Sequence, residues 1–294
     1  MLNLEQTIIQ NYLNTIDILS VSLKNSNIFI TMKDQDGNIV YPKDIFLLNK
    51  ANDILINGKY YYDEFSETKN LIEIYDKKNN EYYEVTNEKY AIPDSNKIYD
   101  IQIIKNISKQ KQFELLSKLD PITEIYNNRA IMEKLDNCII NPNNSLNCFC
   151  FIVCDIDNFK TINDIYTHTG GDLVLKEIAK IFYQNLKTIG FVGRYGGDEF
   201  IIIIKNNNIE HIKTKINDII TKIKNIHVYY QNYDIKNITM SFGATLVNNN
   251  SLKITSLNDI NSYRRAIFER ADQSLYDSKR KGKDQLNVKE FTNL

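Results

Sequence analysis

The stretch Arg194-Tyr195-Gly196-Gly197-Asp198-Glu199-Phe200, followed at once by Ile201 to Ile204, concentrates more potential chemistry than any other in the 294-residue chain. Two adjacent glycines between apolar runs signal a tight β-hairpin, because both central turn residues can take positive φ without a Cβ clash. A turn that is almost all backbone leaves room for a bulky polyphosphate or base against it. It also sets Asp198 and Glu199 at the tip of a strand whose body, Phe200 to Ile204, is apolar. Hard carboxylate oxygens of this kind suit Mg²⁺ or Mn²⁺ alongside substrate phosphates. The plainer alternative is a turn with solvated acids.

A second acidic point, Asp155-Ile156-Asp157-Asn158-Phe159-Lys160, follows the apolar run Cys148 to Cys154. A carboxylate at the end of a buried strand can be held rigidly while it faces solvent. If that strand lies beside the glycine hairpin in one antiparallel sheet, Asp155 and Asp198 converge on one cation; taken alone, Asp-Ile-Asp would read as a strand-end turn. Cys148, Cys150 and Cys154 share parity in the run with Ile152, while Phe149, Phe151 and Val153 point to the other face. Both faces are apolar, so the strand is central and buried on both sides, and its cysteines pack as small hydrophobes instead of forming a zinc site or a disulfide.

The elements around these points divide the chain. Residues 1 to about 22 carry Ile8, Ile9, Leu13, Ile16 and Leu19 at helical spacing. From Asn27 the texture becomes short β-rich runs: Ile28–Met32, an Asp34-Gln35-Asp36-Gly37-Asn38 turn, Ile39–Tyr41, Leu71–Tyr75, Tyr82–Thr86 and Ile98–Ile104. Residues 107–119 read as a connecting helix with Phe113, Leu116 and Leu119 on a narrow stripe. That helix either couples the first domain to dimer geometry or is a rigid spacer.

Composition sets the frame. Hydrophobic content of 43% and charged content of 25% are ordinary for a globular protein. A net charge of −1 gives no reason to expect nucleic-acid binding. The longest apolar run is too short to span a bilayer, and Met1-Leu2-Asn3-Leu4-Glu5 lacks the basic start of a signal peptide, so no membrane role and a cytoplasmic location are expected. All histidines (His168, His211, His227) and all cysteines follow residue 137. The first domain therefore cannot hold haem through an axial histidine or form a flavin–cysteine adduct. Its input is expected to be a small molecule or a partner protein.

The glycine hairpin and several further segments, in the same order, resemble GGDEF-domain diguanylate cyclases, which condense two GTP into cyclic di-GMP. Asp120-Pro121-Ile122-Thr123-Glu124-Ile125-Tyr126-Asn127-Asn128-Arg129 looks like the family's opening Asp-x-Leu-Thr-Gly-Leu-x-Asn-Arg-Arg, with Glu124 in place of glycine and Asn128 in place of arginine. Tyr166-Thr167-His168-Thr169-Gly170-Gly171-Asp172 resembles Gly-His-x-x-Gly-Asp, with Thr167 at the first glycine. Arg270 to Asp284 resembles Arg-Ala-Asp-x-Ala-Leu-Tyr-x-Ala-Lys-x-x-Gly-Arg-Asn, with Lys283 where arginine is usual.

This resemblance implies Asp155, the Ile156 carbonyl and Asp198 as metal ligands, with two Mg²⁺ (or Mn²⁺) ions per active site. Glu199 would be an auxiliary ligand or a proton acceptor. Asn163 and Asp172 would read guanine, where a carboxylate accepts from N1–H and the 2-amino group; His168 would lie on the substrate side, and Gly196 and Gly197 would border the substrate. Lys160 would stabilise charge on the α-phosphate. Lys279 and Lys283 would clamp the triphosphate, although on their own they read as a solvated basic helix end. Each protomer would bind one GTP, so catalysis would require a homodimer. The inhibitory Arg-x-x-Asp of many relatives is Lys187-Thr188-Ile189-Gly190 here, which implies no product inhibition through that site.

The expected architecture is α+β. A palm-like βαββαβ domain over residues 120–294, with a mostly antiparallel central sheet and flanking helices, follows a connecting helix (107–119). Residues 1–106 are expected to form an N-terminal helix and a small α+β domain resembling a PAS sensor. The rival function is a catalytically inactive domain that relays GTP or cyclic di-GMP binding.

Overall fold

The computed structural model describes residues 28–36, 38–41, 59–61, 71–77, 79–91, 98–140, 148–205, 208–248 and 252–291. The helix expected before residue 22 lies outside them. The chain forms two units, Met1–Leu115 and Leu116–Leu294.

In the first unit, strands β1 (Ile28–Lys33), β2 (Ile39–Tyr41), β3 (Lys59–Tyr61), β4 (Leu71–Asp76), β5 (Glu81–Ala91) and β6 (Ile98–Asn106) make one antiparallel sheet in the order β2-β1-β6-β5-β4-β3. The runs read as strands are strands, and β3 is an addition. The β1–β2 turn forms as its residues dictate: the Asp34 carboxylate accepts from the amides of Asp36 at 3.0 Å and Asn38 at 2.8 Å. Ile74, Tyr83, Val85 and Ile104 form the buried centre of this sheet. Helix α1 (Ser108–Ser117) follows and buries no residue. Phe113 is 72% exposed and Leu116 57% exposed, so these two residues of the apolar stripe face solvent, while Leu119 falls beyond the helix and is half-buried.

The second unit contains α2 (Asn128–Ile140), β7 (Cys148–Ile156), α3 (Phe159–Leu186), β8 (Gly190–Gly196), β9 (Glu199–Ile204), α4 (Ile209–Lys224), β10 (Val228–Tyr230), β11 (Tyr233–Ile235), β12 (Met240–Asn248), α5 (Leu257–Arg280) and β13 (Leu286–Glu290). The order β7-α3-β8-β9-α4-β12 is the expected βαββαβ core. Its sheet runs β13-β12-β7-β9-β8; β7 pairs antiparallel with β9 and β12, β8 with β9 antiparallel, and only β12–β13 is parallel.

The parity of β7 is realised residue by residue. Cys150, Ile152 and Cys154 enter a core with α3 and α4, through residues such as Ile178, Phe182, Ile216 and Ile219. Phe149, Phe151 and Val153 enter a second core with α2 and α5, through Ile131, Leu135, Ile267 and Leu275. All four cysteines are free thiols. Burial, the largest influence on each, raises the thiols of Cys138, Cys148, Cys150 and Cys154, with Cys150 pushed up to about 12. Protonated cysteines of this kind are packing groups, not nucleophiles.

Candidate active site

The glycine hairpin forms one residue later than its sequence predicts. Gly196 still pairs with Glu199, a register shift falls between Arg194 and Gly196, and the turn residues are Gly197 and Asp198. An irregularity in β8 just before the glycines moves the turn centre forward by one position. Gly197 alone of the pair has positive φ, 54°, and a Cβ at either glycine would meet nothing within 4 Å. The open backbone ledge expected from the sequence is therefore present.

Arg194 fixes the ledge. Its Nε and Nη2 donate to the Gly197 carbonyl at 2.9 and 2.8 Å, and Nη1 donates to Asp120 Oδ1 at 3.2 Å. Asp120 Oδ1 also accepts from the Thr123 hydroxyl at 2.7 Å and the Thr123 amide at 2.8 Å. This explains the spacing in Asp120-Pro-Ile-Thr123: the short turn presents one carboxylate to the arginine of the hairpin. The same turn puts Glu124 at φ 59°, the left-handed region that glycine would occupy without strain. Asn128 also finds a use, since its side-chain amide donates to the Tyr195 carbonyl at 2.9 Å.

Burial alone would raise the Asp120 carboxyl, but the Thr123 hydroxyl and amide, with the Arg194 guanidinium, outweigh it and hold the group below the usual aspartate range. Because the folded value is lowered, the stabilisation is fully present above the ordinary aspartate value and is lost as pH falls through the folded one. Asp120→Asn is thus expected to lower stability at neutral pH and change it little in strong acid. Urea midpoints across the acid range check this, and a variant profile running parallel to the wild type would contradict it.

β7 and β9 bring the acids together. Asp155 and Glu199 are register partners, and the Ile156 amide lies 3.4 Å from the Asp198 carbonyl. Burial raises the Asp155 carboxyl; the Lys279 ammonium opposes this, and the charges of Asp198 and Asp157 add to it. Burial, then the charges of Asp155 and Asp198, raise Glu199. Lys279 Nζ donates to Asp155 Oδ1 at 2.9 Å. Among the described residues no group of three or more His, Cys, Asp or Glu side chains stands ready as a metal cage. The donor chemistry nonetheless fits a hard divalent cation. The charge of Asp198 raises the proton affinity of Asp155, and those of Asp155 and Asp198 raise that of Glu199; the Ile156 carbonyl is adjacent, and a cation whose shell is completed by phosphates and water needs no closed protein cage.

Beside this cluster opens a cavity of ≈ 490 Å³ lined by Lys160, Asn163, His168, Asp172, Gly197 and Asp198, with Phe159, Asp164, Leu175 and Arg194. The residues expected to read the base therefore share one wall with the hairpin turn. Asn163 is packed against a bare backbone: a Cβ on Gly171 would stand 1.9 Å from Asn163 Oδ1. Asp155, Ile156, Glu199, Gly196, Lys279 and Lys283 are not among the lining residues. Lys283, at φ 64°, donates to Asn158 Oδ1 at 2.7 Å, which ties the loop after α5 to the turn between β7 and α3.

Asp157 has a role the sequence did not disclose. It is buried and accepts from the Thr239 hydroxyl at 2.8 Å, the Ser241 hydroxyl at 2.7 Å and the Asp284 amide at 3.2 Å. A buried carboxylate with three donors is a structural knot, here joining β7, β12 and the Lys283 loop. Its signal was the pair of hydroxyls two residues apart in Thr239-Met240-Ser241, aligned on one side of a strand.

Residues 117–285 match the family described as "Diguanylate cyclase, GGDEF domain". Diguanylate cyclase DgcP of Pseudomonas aeruginosa is 32% identical over 169 residues, which is 58% of this chain and 23% of that one. Diguanylate cyclase A of Treponema denticola is 34% identical over 137 residues, 47% of this chain and 34% of that one. The chain thus spans between about a quarter and a third of the length of these relatives. The GGDEF domain of DgcB from Caulobacter crescentus, solved in complex with c-di-GMP, superposes with a TM-score of 0.51 at 27% identity, covering 58% of this chain and 93% of that one. The matched span includes the Asp120 turn, the Asp155 strand end, the base-side wall and the glycine hairpin, and on that ground the chain belongs to the GGDEF domain family of diguanylate cyclases.

Proposed function

We propose that this protein condenses two GTP into cyclic di-GMP with release of two pyrophosphates, working as a homodimer with Mg²⁺ or Mn²⁺. The carrying observation is the shared wall: Asn163, His168 and Asp172 line one cavity with Lys160 and the Gly197-Asp198 turn, and the Asp155–Glu199 pair lies at the end of the adjoining strands.

In each half-reaction a 3′-hydroxyl oxygen bonds to the α-phosphorus of the facing GTP, the bond from that phosphorus to the bridging oxygen breaks, and pyrophosphate leaves. Asp155, the Ile156 carbonyl, Asp198 and Glu199 would hold the metal ions, which supply charge neutralisation at the phosphates and a more acidic 3′-hydroxyl. Glu199 is an auxiliary ligand or takes the hydroxyl proton. Asn163 and Asp172 orient guanine; adenine has no N1–H donor, so Asp172 would be left with an unpaired acceptor, which disfavours ATP. Lys160 faces the cavity and offsets charge on the α-phosphate. Lys279 and Lys283 belong to the triphosphate clamp, and a lysine at 283 makes a point-charge contact where arginine would make a forked one.

The first unit is proposed to be a PAS-like sensor, supported by an antiparallel sheet whose first and last strands, β1 and β6, are neighbours. The exposed Phe113 and Leu116 of α1 support a dimer contact along that helix. No helix among the described residues is long and apolar enough to cross a membrane.

The test is incubation of the purified chain with GTP and Mg²⁺, with products resolved by mass. Cyclic di-GMP should form, disappear on chelation, return with Mg²⁺ or Mn²⁺, and have no counterpart with ATP. Absence of product from a dimeric sample that binds GTP would refute the cyclase and leave the binding relay.

A further inference from the structure

The helix that carries the base-side residues is broken at an unexpected residue. α3 (Phe159–Leu186) consists of two helical stretches joined across a kink at Thr167, which lies at φ 63° and ψ 170°. That region of backbone space is essentially reserved for glycine, and another residue persists there only when its surroundings hold it. Thr167 adjoins His168 and sits between Asn163 and Asp172, so the kink sets the spacing of all three on the cavity wall.

What holds it is the β10–β11 hairpin. Thr167 Oγ1 stands 3.3 Å from Tyr230 Oη, which also accepts from Gln231 Nε2 at 3.1 Å. On the neighbouring residue, the Tyr166 and Tyr233 rings meet edge to face with centroids 5.4 Å apart. Behind the kink the hairpin packs at contact distance: a Cβ on Gly170 would stand 3.4 Å from Tyr230 Cδ1 and 3.5 Å from Ile235 Cδ1. Neither Tyr230 nor Tyr233 lines the cavity.

We propose that Tyr230 is a positioning residue for the nucleotide base: acting through the Thr167 hydroxyl, it holds the α3 kink and so fixes Asn163, His168 and Asp172 relative to one another. The inference rests on the reading of this cavity as a guanine-nucleotide site. A threonine in place of glycine supplies the hydroxyl through which the hairpin grips the kink, at the expense of backbone strain. Stability and affinity should therefore move in opposite directions at residue 167, which a merely structural contact would not produce.

The experiment measures calorimetric binding of a GTP analogue with a methylene bridge between its α- and β-phosphorus atoms, in Mg²⁺, alongside melting temperature, all in the full chain. Tyr230→Phe is expected to weaken binding roughly five-fold, the size of one net neutral hydrogen bond. Thr167→Gly should raise the melting temperature and weaken binding, and Thr167→Ser, which keeps the hydroxyl, should retain wild-type affinity. Wild-type affinity in both Tyr230→Phe and Thr167→Gly, while Asp172→Ala loses binding, would overturn the proposal and leave the base reading intact. Failure of the wild-type chain itself to bind the analogue would overturn both.

Discussion

Asp198→Ala is expected to lower cyclic di-GMP formation by about a thousandfold or more, roughly 4 kcal/mol of transition-state stabilisation, without unfolding the protein. On the proposed reading Asp198 is the ligand that links the base-side cavity to the acidic cluster, since it lines the cavity and its charge acts on Asp155 and Glu199. Its turn does not depend on its side chain: Arg194 grips the Gly197 carbonyl, and Gly196 pairs with Glu199 across the turn. Removing one carboxylate from a cluster in which Asp155 and Glu199 are already pushed upward relieves like-charge repulsion, so the metal-free melting temperature should hold or rise. Product yield by mass and a thermal melt check both halves. Activity within tenfold of the wild type would remove Asp198 from the proposed metal site.

Gly243→Ala is expected to destabilise the second unit by about 3 kcal/mol or more, as overpacking against backbone does. Gly243 lies mid-strand in β12, where α5 rests directly on the sheet. A Cβ there would stand 2.0 Å from the Leu275 amide nitrogen, 2.3 Å from the Ala271 carbonyl oxygen and 2.5 Å from Leu275 Cα. No side-chain rotation can clear three backbone atoms, so the helix itself must lift. Lifting it strains the bond from Ser278 Oγ to the Phe242 carbonyl, 2.6 Å long, and draws Lys279 away from Asp155. Denaturant midpoints are the measure; a loss below about 1 kcal/mol would show that α5 can shift more freely than this packing implies.

The sequence disclosed those parts of the site whose chemistry is local. Adjacent glycines announced the hairpin, and alternating apolar residues announced that β7 is covered on both faces. The shift of the turn to Gly197-Asp198 was hidden because it depends on a bulge in β8, set by pairing with β9 and not by the turn residues. The α3 kink was hidden for a related reason: Thr167 does not itself favour a glycine-type backbone, the one hint being that it stands where the resembled family has glycine, and the proposed restraint comes from Tyr230, 63 residues later. Asp157 had no assigned role in the sequence beyond the strand-end Asp-Ile-Asp, because only the fold brings Thr239, Ser241 and the Asp284 amide onto it. Helix α3 begins at Phe159 although Thr167, Thr169, Gly170 and Gly171 within it are weak helix formers.

The double covering of β7 has a consequence in time as well as in space. For its backbone amides to exchange with solvent, the α3–α4 layer and the α2–α5 layer must both separate from it, so β7 belongs to the slowest-opening part of the unit. Asp155 is attached to the end of that strand. The acidic cluster therefore keeps its spacing through the local fluctuations that open shallower elements.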